Sequence, residues 1–163
     1  MRSSILLTAI CLSSCAVTLA DEPDAEQLAR EKAFSERMAN TVMIGSFTID
    51  GQSDGKAPKA ERYEIESVTK VSDGMWVFNA RVKYGNFDQK LPFTVPMEWA
   101  GDTPMVSLTD QTFPLMEGKF SARVLFHKDR YAGTWDHDQI GGHMFGRIEK
   151  AKNSEAKEQT DRK

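Results

Sequence analysis

Apolar and polar residues alternate along most of the chain after residue 40, which is the period of a β-strand with one buried face. The pattern is unbroken over residues 75–84 and 89–99, where every second residue is apolar or aromatic. Weaker forms of it recur before and after these two segments. The pattern predicts strands at residues 41–50, 61–71, 75–84, 89–99, 105–109, 119–127, 130–137 and 143–149.

The connections between these segments are mostly short, which favours antiparallel neighbours. Asp73-Gly74 is the strongest hairpin signal in the chain. Residues 51–60 form a longer loop, and residues 110–118 are predicted as a loop whose apolar side chains plug one end of the sheet. We therefore predict a mainly β fold, an antiparallel up-and-down meander of about eight strands that closes into a barrel.

Two irregularities in the strand pattern indicate that the barrel is not regular throughout. The apolar phase slips between Ile65 and Val68, which indicates a β-bulge. Pro92 and Pro96 remove amide donors from the same side of one strand, so that side cannot carry a complete ladder. The strand is then at the edge of a sheet, or the barrel is open or bulged at this strand. The alternative fold is therefore a partly open barrel or a two-sheet β-sandwich.

Residues 24–40 have a helical rather than a strand pattern. They are rich in helix formers, with acidic residues in the first turn. Leu28, Phe34, Met38 and Val42 form an apolar stripe that Glu31 interrupts. We expect one N-terminal helix that packs on the barrel or covers one of its open ends.

The two ends of the chain have other compositions. Residues 1–20 resemble a secretory signal peptide, with Arg2, a short apolar stretch and small residues before a cut after Ala20. The segment ending at Cys15 also resembles a lipobox, so lipidation of Cys15 is the alternative to simple cleavage. The predicted division is 1–20 signal peptide, 21–40 helix, 41–149 β-barrel and 150–163 disordered polar tail. The expected location is periplasmic or extracellular, with a lipid anchor at Cys15 in the second case.

Charge and cysteine content narrow the function classes. The 163 residues carry 21 Lys and Arg against 24 Asp and Glu, without the basic excess that nucleic-acid binding requires. Both cysteines lie in the leader, so a chain cut after Ala20 has neither a disulfide nor a thiol nucleophile. The partners that remain are a small molecule or an envelope component. Membrane association is expected only through the lipid anchor at Cys15. No feature of the sequence indicates an oligomeric state.

The last two strands carry the most distinctive residues. A Gly-Thr-Trp element ending at Trp135, a polar turn, and spaced glycines up to Gly146 resemble a hairpin of the calycin superfamily, the lipocalin- and avidin-like meander barrels. That resemblance implies a barrel that binds a small molecule inside. The chain as a whole also resembles small exported bacterial proteins. We expect Gly133 and Gly146 to be adjacent, with Trp135 or Tyr131 lying flat over them.

The aromatic residues suggest where a ligand would bind. They either form the core or line a cavity, and the predicted ligand-binding residues are Trp76, Trp99, Tyr131 and Trp135.

A metal site is the competing hypothesis for the same hairpin. Asp136, His137 and His143 flank one turn and could ligate Zn. No cofactor is otherwise predicted, and no residue is assigned as catalytic because the chain has no nucleophile elbow or phosphate-binding loop. Our first hypothesis is therefore an exported binding module rather than an enzyme. The alternatives are a metal-dependent or acid/base hydrolase at this hairpin and a structural envelope protein without a ligand.

Overall fold

One helix and eight antiparallel strands make up the described part of the chain. The structure is a computed structural model that describes residues 24–52 and 57–152. The predicted signal peptide, Cys15 and most of the predicted tail lie outside these residues. The elements are α1 (Ala25–Met38), β1 (Thr41–Phe47), β2 (Lys59–Ser72), β3 (Met75–Tyr84), β4 (Phe87–Ala100), β5 (Thr103–Phe113), β6 (Met116–His127), β7 (Arg130–His137) and β8 (Ile140–Lys150).

The strands form a closed barrel in chain order. Each strand pairs with the next, and β1 closes the ring by pairing with β8 from Thr41↔Lys150 to Phe47↔Met144. Closure gives every strand two neighbours and removes long exposed edges. The prediction of a mainly β, up-and-down barrel preceded by one helix is confirmed, and the sandwich is not formed.

Two local predictions are also confirmed. The register of β2 against β3 shifts between Ile65 and Ser67, which places the bulge at Glu66. The Glu66 carbonyl accepts a hydrogen bond from the backbone N–H of Asn40. The turn at Asp73-Gly74 joins β2 to β3, with Gly74 at a φ of 69° that favours glycine.

The prediction of a loop at residues 110–118 is wrong. β5 extends to Phe113, and β6 begins at Met116 after a two-residue turn. The pairing of these strands shifts register on both sides of Gln111. The inward-facing residues of β5 change from the even positions Val106 and Leu108 to the odd position Phe113 across this irregularity. The alternation expected for a strand therefore disappears from the sequence although the strand continues.

The two prolines of β4 coincide with a gap in the barrel wall. The Met97 N–H donates toward the β3 side, to the Gly74 carbonyl at 2.7 Å. Pro92 and Pro96, of the opposite parity, therefore turn their nitrogens toward β5. β4 pairs with β5 only over Met97–Ala100, in four residue pairs. The predicted loss of a ladder thus takes the form of a local gap in a closed barrel.

The gap is bridged by side chains. Gln111 Nε2 donates to the Thr94 carbonyl at 2.6 Å. The rings of Phe93 and Phe113 meet edge to face, with centroids 5.4 Å apart. Side-chain contacts from β5 to β4 therefore replace part of the missing backbone ladder.

Helix α1 covers the end of the barrel where β1 begins. Phe34 is 2% exposed and contacts Trp76 and Trp99 edge to face, at centroid distances of 5.8 and 6.1 Å. Met38 is fully buried beside it. Leu28, expected in the same stripe, is instead exposed, because the buried face of the helix begins only at Glu31, about one turn after it.

Polar contacts hold this helix in place. Glu31 interrupts the apolar stripe, yet it is buried, because Lys70 of β2 donates to both its carboxylate oxygens at 2.9 and 3.1 Å. Lys150 of β8 donates to the carbonyls of Arg37 and Ala39, where the last helical carbonyls lack partners within the helix. The helix is therefore fixed to strands on both sides of the barrel closure.

Candidate functional site in the barrel cavity

The barrel contains a cavity of about 490 Å³ on the side away from α1. This volume lies within the range of roughly 300–1,000 Å³ that is typical of small-molecule sites. The lining extends from the middle of the barrel to the strand ends opposite the helix, where Lys59 and Ile140 are exposed. The cavity thus has a closed end below α1 and an open mouth.

Apolar side chains form nearly the whole wall. They are the inward-facing residues of successive strands, as the alternating pattern requires. The wall carries few polar groups, so it suits the apolar part of a ligand. The apolar residues in the middle of the cavity are Met43, Ile65, Phe78, Ala80, Val82, Val95, Val106, Leu108, Ala122, Val124 and Met144.

Glu61 is the buried charged residue of this wall, whereas Lys59, Asp136 and His137, which also line the cavity, are more exposed. It is 5% exposed and lies on the inward face of β2. Tyr131 donates its hydroxyl hydrogen to Glu61 Oε1 at 2.7 Å, and Tyr63 donates to Oε2 at 3.0 Å. Each carboxylate oxygen thus accepts one tyrosine hydrogen bond. A buried carboxylate held in this way is fixed in position and costs less to bury than an unpaired one.

Two glycines make room for the Tyr131–Glu61 hydrogen bond. In the strand register Tyr131 pairs with Gly146, Gly146 with Gly45, and Gly45 with Glu61. Tyr131 therefore reaches across β8 and β1, over positions without side chains. A Cβ at Gly146 would lie 2.7 Å from Tyr131 Cε1, and one at Gly45 would clash with the tyrosine hydroxyl. Tyr131 does lie over Gly146 as predicted, but the adjacent glycine is Gly45, because Gly133 pairs with Met144.

The electrostatics of this cluster follow from burial. Desolvation raises the pKa of Glu61 above its ordinary value, and the hydrogen bonds from Tyr131 and Tyr63 oppose the rise. Burial and the neighbouring carboxylate raise the pKa of both tyrosines well above 10.0. The tyrosines are therefore neutral donors throughout the physiological range, and Glu61 is the group whose charge can change.

Trp135 provides a second polar atom in the wall. Its ring meets Phe47 edge to face at 5.6 Å and lines the cavity. Its indole Nε1 is buried and has no hydrogen-bond partner among residues 24–52 and 57–152. A buried donor without an acceptor costs roughly 1–3 kcal/mol. An acceptor on a bound molecule would recover that cost.

The four aromatic residues predicted to bind a ligand lie at different depths. Trp135 lines the cavity, whereas Trp76 and Trp99 pack against Phe34 below the helix. Tyr131 is 1% exposed, and its hydroxyl donates a hydrogen bond to Glu61, which lines the cavity. Direct binding by these residues stays a prediction, and Trp135 is the one whose position supports it most directly.

The residues predicted to bind metal are divided between two faces of the barrel. His137 faces inward at the mouth, stacks on Phe120 at 4.2 Å and has Nε2 2.8 Å from the Glu117 carbonyl. Asp136 and His143 occupy the alternate, exposed positions of β7 and β8. Within the described ranges, no three His, Cys, Asp or Glu side chains form a group that could hold a metal ion. The Zn site stays a prediction without geometric support.

Sequence reasoning did not select Glu61. A glutamate at the start of a predicted strand resembles solvent-exposed surface, and Glu64 and Glu66 follow it closely. The available signal was parity, since Glu61 shares its face with Tyr63 and Ile65. A charged residue in phase with apolar neighbours was thus the indication of an inward carboxylate.

A second depression, of about 720 Å³, lies on the outer surface over β1, β2 and β8. Its rim carries charged side chains in ion pairs, including Arg62–Glu64 at 3.0 Å. Val42 and Ile44 form its floor between these charges. The paired charges around it make it a weaker candidate for an apolar ligand than the barrel interior.

Fold and cavity together define a class: an eight-stranded antiparallel meander barrel that is closed at one end by a helix and contains an apolar cavity. This architecture is consistent with a calycin-like barrel. No family model, curated protein or solved structure matches the chain. Within the described ranges, no helix combines the length and the hydropathy needed to cross a membrane.

Proposed function

We propose that the protein is a calycin-like binding module that holds one small amphipathic molecule inside its barrel. The observation that carries the proposal is the 490 Å³ apolar cavity, closed by α1 and containing one buried carboxylate. Apolar walls with a few fixed polar groups are typical of sites that bind small molecules. Trp135 Nε1, which is buried without a hydrogen-bond partner in the described part of the chain, supports the same proposal.

A neutral fluorescent probe tests this function. N-phenylnaphthylamine brightens in apolar sites, and we expect the protein to bind one equivalent. Ala122 faces the cavity, so Ala122→Phe should fill part of it and weaken binding about tenfold or more. Ala132 is exposed on the outer face of β7, and Ala132→Phe is the matched control that should bind normally. Equal binding by both variants would place the probe outside the barrel.

Native mass spectrometry after mild purification provides an independent test. A small molecule retained by the wild type and lost from Ala122→Phe would support the binding function. An apo mass combined with no probe binding would instead favour the structural alternative.

We also propose that the protein is exported, on the basis of residues 1–20. Mass spectrometry of the mature N-terminus distinguishes the two forms of this proposal. An unmodified Asp21 would indicate cleavage after Ala20, and a lipidated Cys15 would indicate an anchored lipoprotein. A mature chain that retains Met1 would contradict both.

A further inference from the structure

We propose that the ligand of the barrel is an amphipathic amine whose ammonium group binds the Glu61 carboxylate while its apolar part fills the cavity. The inference rests on the proposed binding function and adds the chemistry of the head group. It would make the interior of this barrel selective for cations.

The geometry leaves an acceptor available for a ligand. A carboxylate has about four lone-pair positions, and the two tyrosine hydrogen bonds use one position on each oxygen. Tyr63 and Tyr131 also fix the carboxylate against the cavity wall. An ammonium group carries three donors, and it can bind the remaining positions without displacing either tyrosine.

The charges around Glu61 favour a cation. The titratable groups nearest to it are the neutral Tyr63, Tyr131 and Tyr84, with Lys59 two residues away on the same face of β2. Asp136 and His137 line the same cavity from β7, where Asp136 is exposed and His137 is half-buried. Lys59 is exposed at the mouth, and no described basic side chain forms a salt bridge with Glu61. Among the described residues the carboxylate thus has no counter-ion, although it lies in a low-dielectric site where an opposite charge is most stabilising.

Other head groups fit less well. An anionic head would be placed against the buried carboxylate and repelled by it. A neutral hydroxyl could donate one hydrogen bond to Glu61, but it would leave the charge uncompensated. The apolar walls bind all three kinds of ligand alike, so the head group determines the difference between them.

Three probes with the same ten-carbon chain separate these possibilities. Decylamine, decanol and decanoate compete with N-phenylnaphthylamine below the concentrations at which they aggregate, at neutral pH. We expect decylamine to bind about tenfold or more tightly than decanol, and decanoate to bind most weakly. Glu61→Gln should remove the advantage of the amine and leave decanol binding unchanged within about threefold. Glu98→Gln, on the exposed face of β4, is the control.

The wild type offers a second measurement that needs no variant. An ammonium group binds the ionised form of the Glu61 carboxylate. The raised pKa of Glu61 favours the protonated form, so amine binding and protonation compete with each other. Amine affinity should therefore rise with pH from about 4.5 until the raised pKa is passed, and then level off. The amine itself stays charged over this range because alkylamines titrate near pH 10. Decanol affinity should not show this rise.

The outcomes keep the two proposals separate. If the fluorophore does not bind in the cavity, the proposed function fails and the ammonium assignment fails with it. If the fluorophore binds there and none of the three probes displaces it, the binding function stands and the ammonium assignment is wrong. If decanol binds as well as decylamine and the amine shows no pH dependence, the binding function stands and the ammonium assignment is wrong. Tightest binding of decanoate would also overturn the assignment and would point to Lys59 or His137 at the mouth.

Discussion

Replacing Tyr131 by Phe should destabilise the barrel by an amount that depends on pH. The substitution removes the hydroxyl that donates to Glu61 Oε1 at 2.7 Å and keeps the ring over Gly146. Since Tyr131 is 1% exposed, water cannot easily take the place of the lost hydroxyl. The carboxylate oxygen then stays buried with one hydrogen bond fewer.

The charge of Glu61 sets the size of the effect. A hydrogen bond to an ionised group contributes about 1.5–3 kcal/mol, and one between neutral groups contributes about 0.5–1.5 kcal/mol. The raised pKa of Glu61 means that the folded state binds its proton more tightly than the unfolded state does. Wild-type stability therefore falls as pH rises from about 4.5 to the folded pKa, and levels off above it. Tyr131→Phe raises that pKa further, so its cost grows with pH.

Urea unfolding at about pH 4 and about pH 8 measures both effects. We expect Tyr131→Phe to lower the free energy of unfolding by about 1 kcal/mol at the acidic pH and by about 2–3 kcal/mol at the alkaline pH. Tyr84→Phe is the matched control, because Tyr84 stacks on Phe87 and its hydroxyl forms no hydrogen bond with a described residue. A cost for Tyr131→Phe that is equal at both pH values, or no larger than that of Tyr84→Phe, would refute the reasoning.

Three further substitutions test the helix, the glycine pair and the gap. Phe34→Ala should cost about 3–5 kcal/mol in urea unfolding, because it empties a buried aromatic site below α1; a cost under about 1 kcal/mol would contradict that position. Gly45→Ala should cost about 3 kcal/mol and alter the pH dependence of stability as Tyr131→Phe does, since the new Cβ clashes with the Phe145 carbonyl of β8 as well as with the tyrosine hydroxyl. Gln111→Ala should cost about 1 kcal/mol and speed amide hydrogen exchange on either side of the β4–β5 gap. The exposed Gln89→Ala should change neither, and equal exchange in the two variants would mean that Gln111 does not bridge the gap.

The strands predicted most accurately are those whose two faces differ throughout. In β3 every second residue from Trp76 to Tyr84 faces inward, and the observed bounds match the predicted 75–84. The Asp73-Gly74 turn fixes its start. Burial of one face and a tight turn both depend on residues that are close together in the chain. The sequence alone is therefore sufficient to predict this strand.

The β5–β6 hairpin was hidden for the opposite reason. The register shifts around Gln111 change which side chains face inward. In the sequence this change is visible only as a loss of alternation, which resembles a loop. The prolines of β4 predicted the missing ladder, but not the neighbouring strand segment whose Gln111 side chain bridges it.

The candidate site could be predicted only in part. The aromatic residues and the barrel indicated an interior cavity, but the Glu61 cluster depends on contacts between residues 70 positions apart. Gly45 and Gly146 become neighbours only through the register that closes the barrel. No local sequence pattern predicts that register. The sequence therefore does not indicate that the Tyr131 side chain lies across the two glycines.

The route of Tyr131 across the barrel closure bears on the order of folding. Hairpins between successive strands close short loops, whereas β1 and β8 meet only when Thr41 and Lys150 are brought together from opposite ends of the domain. Long loops close late because their entropy cost comes before any compensating contact. The Tyr131–Glu61 hydrogen bond joins β7 to β2 over that last junction, and it cannot form in an open sheet. We therefore expect the polar contact that shapes the cavity to form late in folding, in the same step that closes the barrel.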